Sequence, residues 1–193
     1  SPAPFARFSL NTFLLVSFIL PGQLLISTLA AYAFVRFKFT GANVAFALVL
    51  VQLMITPEIL IVQNYVTLSK LSLVDTISGM GLPYIASAFC IFLLRQAFKS
   101  IPKELEDAAE LEGCGTMAIL WKVYVPLATP TYIAFSLVSV SHHWNNFLWP
   151  LIISNSVETR PLTVGLGIFA APEAGVDWAI LSAATLLSVA PLL

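Results

Sequence analysis

Charge is scarce in this sequence. Asp, Glu, Lys and Arg make up 10% of its 193 residues, against roughly a quarter in soluble domains. With 59% hydrophobic residues and a mean hydropathy of +0.91, the chain reads as a membrane protein. Cysteine is nearly absent. Cys90 and Cys114 stand too far apart to suggest a disulfide framework or a thiolate metal site, and both read as small apolar fillers. His142 and His143 are adjacent, so on a helix they point about 100° apart and do not share one metal. A net charge of −1 gives no basic surface for nucleic acid. There is no glycine-rich phosphate loop, no GxSxG and no HExxH. The reading is therefore a non-enzymatic chain with no catalytic group, metal or cofactor of its own.

What is present is a series of long uncharged stretches, each to be compared with the roughly 20 apolar residues a helix needs to cross a bilayer. Residues 8–35 give one crossing. Residues 39–57, continuing past "TPE" to Lys70, give a second that is interrupted; 76–94 give a third and 123–157 a fourth. The uncharged run after Asp177 begins a further one. The chain starts at "SPAPFARF", without an initiator methionine, and stops within an apolar segment, so it is expected to be an internal piece of a longer protein. Cations set the orientation. With "RFKF" inside, Arg36, Lys38, Arg95, Lys99, Lys103 and Lys122 are cytoplasmic, and Arg7, Lys70 and Arg160 are outside, six against three. Trp144, Trp149 and Trp178 suit a membrane–water interface belt, and residues 153–178 are too broken to span.

Against this background "SIPKELEDAAELEG" stands out, with five carboxylates between residues 104 and 112. It is built as a short amphipathic helix over 103–113. Pro102 stands at its start, Glu104, Glu106 and Asp107 occupy the first turns, where the helix dipole favours anions, and Gly113 ends it. Leu105, Ala108, Ala109 and Glu112 recur at helical spacing, and the alanines permit close approach by another surface. The acids have no partnering histidine or nucleophile, which argues against acid–base catalysis. Thr116 is placed as the N-cap of a second helix, "MAILWKVYVPLATP", that Pro126 and Pro130 kink or delimit.

Polar residues at membrane depth mark candidate solute contacts. Glu58 is the one acid inside an expected crossing. It either faces a water-filled path at a helix break, pairs with a cation on a neighbouring helix, or lies near the outer leaflet. Gln52, Gln63, Asn64 and Tyr65 continue this polar trail, and Asn145 and Asn146 supply amides at the end of the fourth crossing. Amides and aromatic faces suit hydroxyl-rich solutes, and the same amides also serve to join helices.

The order of residues carries a resemblance. "EDAAELEG", followed twelve residues after Gly113 by "VP", resembles the EAA loop (Glu-Ala-Ala, two variable residues, Asp-Gly) of permease subunits of ATP-binding-cassette importers. Asp107 stands where Glu is usual, Glu112 where Asp is usual, and Cys114 where Ala is common. "LSLVDT", "LPYIASAFCIFLLRQAFKSIP", "VYVPLATP" and "WNNFLWPLII" look like landmarks of the carbohydrate-type permeases, in particular the maltose-permease-like second subunit. The resemblance implies an all-α, polytopic transmembrane bundle of the type I importer permease fold. Residues 1–193 would be about five of its six crossings, with a coupling loop at about 102–116. It implies that Glu106, Asp107, Ala108, Ala109, Glu112 and Gly113 dock in a cytoplasmic ATPase dimer, which binds the ATP and Mg. It further implies a second related permease, an extracytoplasmic solute-binding protein, and a multi-pass location in the cytoplasmic membrane of a prokaryote. The solute would be a sugar or related polyol, alternatively glycerol 3-phosphate or another polyol phosphate. A multi-span channel or membrane enzyme would need a pore repeat or a catalytic constellation, which the sequence lacks.

Overall fold

The computed structural model of the chain describes residues 5–37 and 39–169, together with 182, 185 and 186. Lys38, Trp178 and most of the uncharged tail after Asp177 lie outside the described residues. Among the described residues all regular structure is helical. Helix α1, Phe5–Arg36, has 32 residues, or about 48 Å at 1.5 Å per residue. That exceeds the roughly 30 Å of a hydrocarbon core, and α1 carries Pro21 without ending there.

The other three charge-free stretches are helices broken in two, each pair together long and apolar enough for one crossing. The second consists of α2, Ala42–Gln52, and α3, Ile61–Lys70, separated by an irregular turn and a 3₁₀ turn, Pro57–Leu60. Proline at 57 offers no N–H to the preceding helix and disfavours helical geometry at Thr56, so the expected interruption at "TPE" falls there. The third, expected over 76–94, is a pair bent by 50°. It divides into α4, Ile77–Gly81, a 3₁₀ turn holding Pro83, and α5, Ala88–Lys99. Ser87 starts α5 in extended geometry, its hydroxyl accepting the Cys90 N–H at 3.2 Å.

The fourth stretch departs further from expectation. Its helical path begins at α7, Thr116–Ile119, and passes through a π-helical turn, Leu120–Tyr124, and α8, Val125–Leu127. It then continues as α9, Thr129–Trp144, at a 73° bend. Pro126 and Pro130 flank that bend, as their missing N–H groups require. The expected run to 157 instead stops at Trp144, because the Asn145 amide turns back to donate to the Ser141 carbonyl at 2.8 Å. A separate α10, Leu148–Ile153, and α11, Leu162–Phe169, follow. Thr116 is the first helical residue of α7, and Gly115 holds the cap position assigned to Thr116 from sequence.

The chain divides into two compact units. One comprises Leu20–Thr56 and Tyr84–Val138. Its core joins Tyr32, Cys90, Leu94, Phe98, Ile119, Leu120, Tyr124 and Phe135. The break before α5 frees backbone carbonyls that lipid could not satisfy. Gln23 donates to the Tyr84 carbonyl at 2.8 Å and Ser27, one helical turn later, to that of Ser87 at 3.4 Å. Thr28 and Tyr132 share a hydrogen bond of 2.7 Å, and the Arg95 guanidinium lies 3.8 Å over the Phe46 ring.

The other unit comprises Ser1–Ile19, Pro57–Pro83 and Ser139–Leu193. Thr12 accepts the Leu162 N–H at 2.8 Å, and the Asn11 amide donates to the carbonyls of Glu158 and Arg160 at 2.7 and 3.0 Å. Trp149 is 3% exposed and donates its indole N–H to Met80 at 3.0 Å. It is a core residue rather than the interface anchor expected, because a buried carbonyl satisfies its one polar atom.

Candidate functional site

Helix α6 spans Lys103–Leu111, with Pro102 extended before it. Its end explains Gly113. That residue has φ 81, a left-handed conformation open to glycine. Gly113 N–H reaches the Glu110 carbonyl at 2.9 Å, and Cys114 N–H the Ala109 carbonyl at 3.0 Å. This paired closure is a Schellman turn, and Ala109 and Cys114 both pack against the core beside it.

The acids of α6 fall into two groups. Glu106 is 4% exposed and forms an ion pair with Arg36, the last residue of α1, while the Tyr124 hydroxyl donates to its other oxygen. Arg36 also pairs with Glu110, one turn along α6. Tyr124 packs edge-on against Tyr32 at 5.1 Å and Phe98 at 5.3 Å, and Tyr32 donates its hydroxyl to the Thr116 carbonyl at 3.2 Å. Glu106 therefore does not lie free on an exposed helix as expected; buried next to a cation, it holds α6 to its own chain. Ala109 also turns inward, so the spacing Leu105, Ala108, Ala109, Glu112 does not form a single outer face. The outer side carries Asp107, Ala108, Leu111, Glu112 and Gly113, all exposed, with Leu111 91% exposed.

Of the residues considered for a solute path, Glu58, Gln63, Asn64 and Tyr65 lie on one continuous 3₁₀–α3 segment, and Asn145 and Asn146 directly follow α9. Glu58 is exposed in the 3₁₀ turn just past the helix break and forms no ion pair among the described residues. On α3, Gln63 is exposed and Asn64 and Tyr65 are half-buried. The Asn145 amide is engaged with Ser141, and the Asn146 carbonyl accepts from the Thr163 hydroxyl at 2.8 Å. No group of histidine, cysteine and carboxylate residues among the described ones could hold a metal.

Sequence reasoning used Arg36 only as an orientation charge and passed over Tyr124 and Asp75. Asp75 has φ 62 and joins two loops: its N–H donates to the Ile153 carbonyl at 3.0 Å. Its carboxylate accepts the N–H groups of Asn155 and Ser156, at 2.8 and 3.1 Å, and the Thr159 hydroxyl. Burial alone would raise the Asp75 carboxyl, but these donors outweigh it and hold the pKa below the ordinary value. Because the folded pKa is the lower one, the stabilisation is complete above about pH 4 and is lost as pH falls through the folded value. Thermal unfolding followed from pH 6 to pH 3 should show this loss in the parent. Asp75→Asn should be less stable at pH 6 and nearly flat across the range, whereas parallel profiles would remove Asp75 from the account.

One membrane-length helix and three bent pairs that together reach membrane length are the architecture of a polytopic membrane protein. The sequence pattern of the family described as "Binding-protein-dependent transport system inner membrane component" matches residues 5–193, and the chain belongs to that family. It is thus a permease subunit of an ATP-binding-cassette importer. It is 33% identical over 190 residues to the sn-glycerol-3-phosphate transport system permease protein UgpE of Shigella flexneri serotype 5b (strain 8401), covering 98% of this chain and 68% of that protein. The protein of the same name from Yersinia pseudotuberculosis serotype I (strain IP32953) is 32% identical over 189 residues, covering 97% and 67%. The fold matches that in the crystal structure of a bacterial ABC transporter involved in the import of the acidic polysaccharide alginate. The TM-score is 0.86 at 24% identity, over 97% of this chain and 71% of the other.

Proposed function

We propose that this permease forms half of the translocation path for a sugar or related polyol, and that helix α6 is its coupling helix. The path would be completed by a second related permease, solute delivered by an external binding protein, and ATP with Mg bound by a cytoplasmic ATPase dimer in a prokaryotic inner membrane. The observation that carries the coupling role is the two-sided character of α6. Its inner side is fixed by Arg36 and Tyr124, while Leu111 and the Gly113 turn project outward among carboxylates. A small apolar knob ringed by acids fits a cleft lined with donors, and ATPase closure would move it together with the attached crossings. Asp107, Ala108, Glu112 and Gly113 belong to the docking surface in this reading; Glu106 and Ala109 support it from behind.

The test is purification of the full-length chain with its native neighbours and identification of the co-purifying subunits by mass spectrometry. An ATPase and a second multi-span protein are expected, and recovery of this chain alone, under conditions that preserve known complexes, would overturn the reading. A polyol phosphate is the second reading, favoured by the names of the relatives at 32–33% identity. Uptake of glycerol 3-phosphate by the reconstituted complex, with maltose excluded, would select it. Glu58 is assigned to the path by its exposure beside the helix break, so Glu58→Gln should change the KM for uptake at least threefold. Unchanged kinetics would return Glu58 to a structural role.

A further inference from the structure

We propose that Arg36 is the positioning residue through which a displacement of α6 passes into the first membrane-spanning helix; this rests on the coupling role proposed for α6. Among the described residues, three polar ties join α6 side chains to other elements: Arg36 to Glu106, Arg36 to Glu110, and Tyr124 to Glu106. Two of the three converge on one guanidinium. Arg36 is the last residue of α1, so a force on it enters that helix at its end. The planar guanidinium bridges carboxylates one helical turn apart, which fixes the roll of α6 as well as its distance.

The setting makes the link stiff. The side chain of Glu106 is 6% exposed and that of Arg36 23%, so water does not readily replace either partner, and the pair acts in a medium of low dielectric. Tyr124, which donates to the other Glu106 oxygen, ends the π-helical turn two residues before Pro126. There the regular backbone ladder is already interrupted, so the second route out of α6 enters a segment able to bend. The other route is through Arg36 into α1, whose last turns are regular α-helix. Lys103 and Asp107, by contrast, lie 3.8 Å apart on the exposed side of α6, a pair within that one helix.

The experiment uses the complete complex in phosphatidylethanolamine–phosphatidylglycerol nanodiscs, with nitroxides at the exposed positions Phe13 on α1 and Leu137 on α9. Pulsed electron resonance reads the change in their separation on adding ATP and vanadate. The decisive variant is Arg36→Gln with Glu106→Gln, which leaves no lone buried charge and retains hydrogen-bonding groups. It is expected to keep the ATPase subunits bound and hydrolysing while the separation change disappears; an undiminished change would overturn the inference. Arg36→Lys covers the case in which the double variant does not assemble. It neutralises Glu106 but cannot bridge to Glu110, so the change should be at least halved, and a full change would again overturn the inference. A parent complex that assembles with its ATPase but shows no ATP-dependent change would bring down the coupling role itself, and the inference with it.

Discussion

Gly113→Asp is expected to abolish solute uptake while leaving insertion and helix packing intact. The separation of these effects follows from the local geometry. A Cβ built on Gly113 meets nothing within 4 Å, so the substitution causes no clash within the chain. Its cost is the left-handed backbone at φ 81, about 1–2 kcal/mol for an L-residue and less for aspartate, which visits that region more readily. The Schellman closure uses only backbone atoms and can persist. What changes is the outer surface, where a bare turn beside Leu111 and Glu112 gains a side chain and a charge. At the centre of a packed interface such an intrusion costs about 2 kcal/mol or more, or roughly thirtyfold in affinity. Gly115→Asp is the matched control. It stands at the N-cap of α7, also with nothing within 4 Å, where aspartate is a favoured cap, and its uptake should stay within twofold of the parent. Equal uptake by both variants would remove the Gly113 turn from the docking surface.

The parts of this molecule that were legible in the sequence are those governed by local rules. Charge-free length located the first three membrane-length helical stretches, and Pro57 located the break in the second, because proline acts on its immediate neighbours. The helix at α6 and its glycine stop were readable for the same reason. The missed features depend on contacts distant in sequence. Arg36 and Glu106 are 70 positions apart, and no periodicity says which of five acids will turn inward to meet a cation. Asp75 binds residues about 80 positions away, and nothing near "LSLVDT" reveals that. Trp149 reads as an interface residue until its indole partner, Met80, is known. The end of α9 was misplaced for a subtler reason. An uncharged run of 35 residues over 123–157 looks like one crossing, but Asn145 stops it by returning its amide to the last turn, a local competition that hydropathy does not register.

Arg36→Ala should be the most destabilising single charge substitution near α6, by about 3–5 kcal/mol, because it leaves Glu106 buried without a cation. The comparison within the same cluster isolates the cause. Glu110 shares Arg36 but its side chain is 45% exposed, so water can take over its partner's role and Glu110→Ala should cost under about 1 kcal/mol. Burial rather than pairing therefore sets the difference, since both carboxylates contact the same guanidinium. An apolar replacement of Arg36, Glu106 and Tyr124, leaving the exposed Glu110 to water, supplies the converse test. Arg36→Met, Glu106→Leu and Tyr124→Phe together remove both charges and the hydroxyl that would otherwise lose its acceptor. Similar exchanges elsewhere are neutral or stabilising, so the triple variant should recover to within about 1 kcal/mol of the parent. Thermal unfolding of the complex in detergent measures all three. A loss of 1 kcal/mol or less for Arg36→Ala would mean that water reaches Glu106. Full recovery of stability without recovery of uptake in the triple variant would show that the charges are kept for transmitting motion rather than for holding the fold.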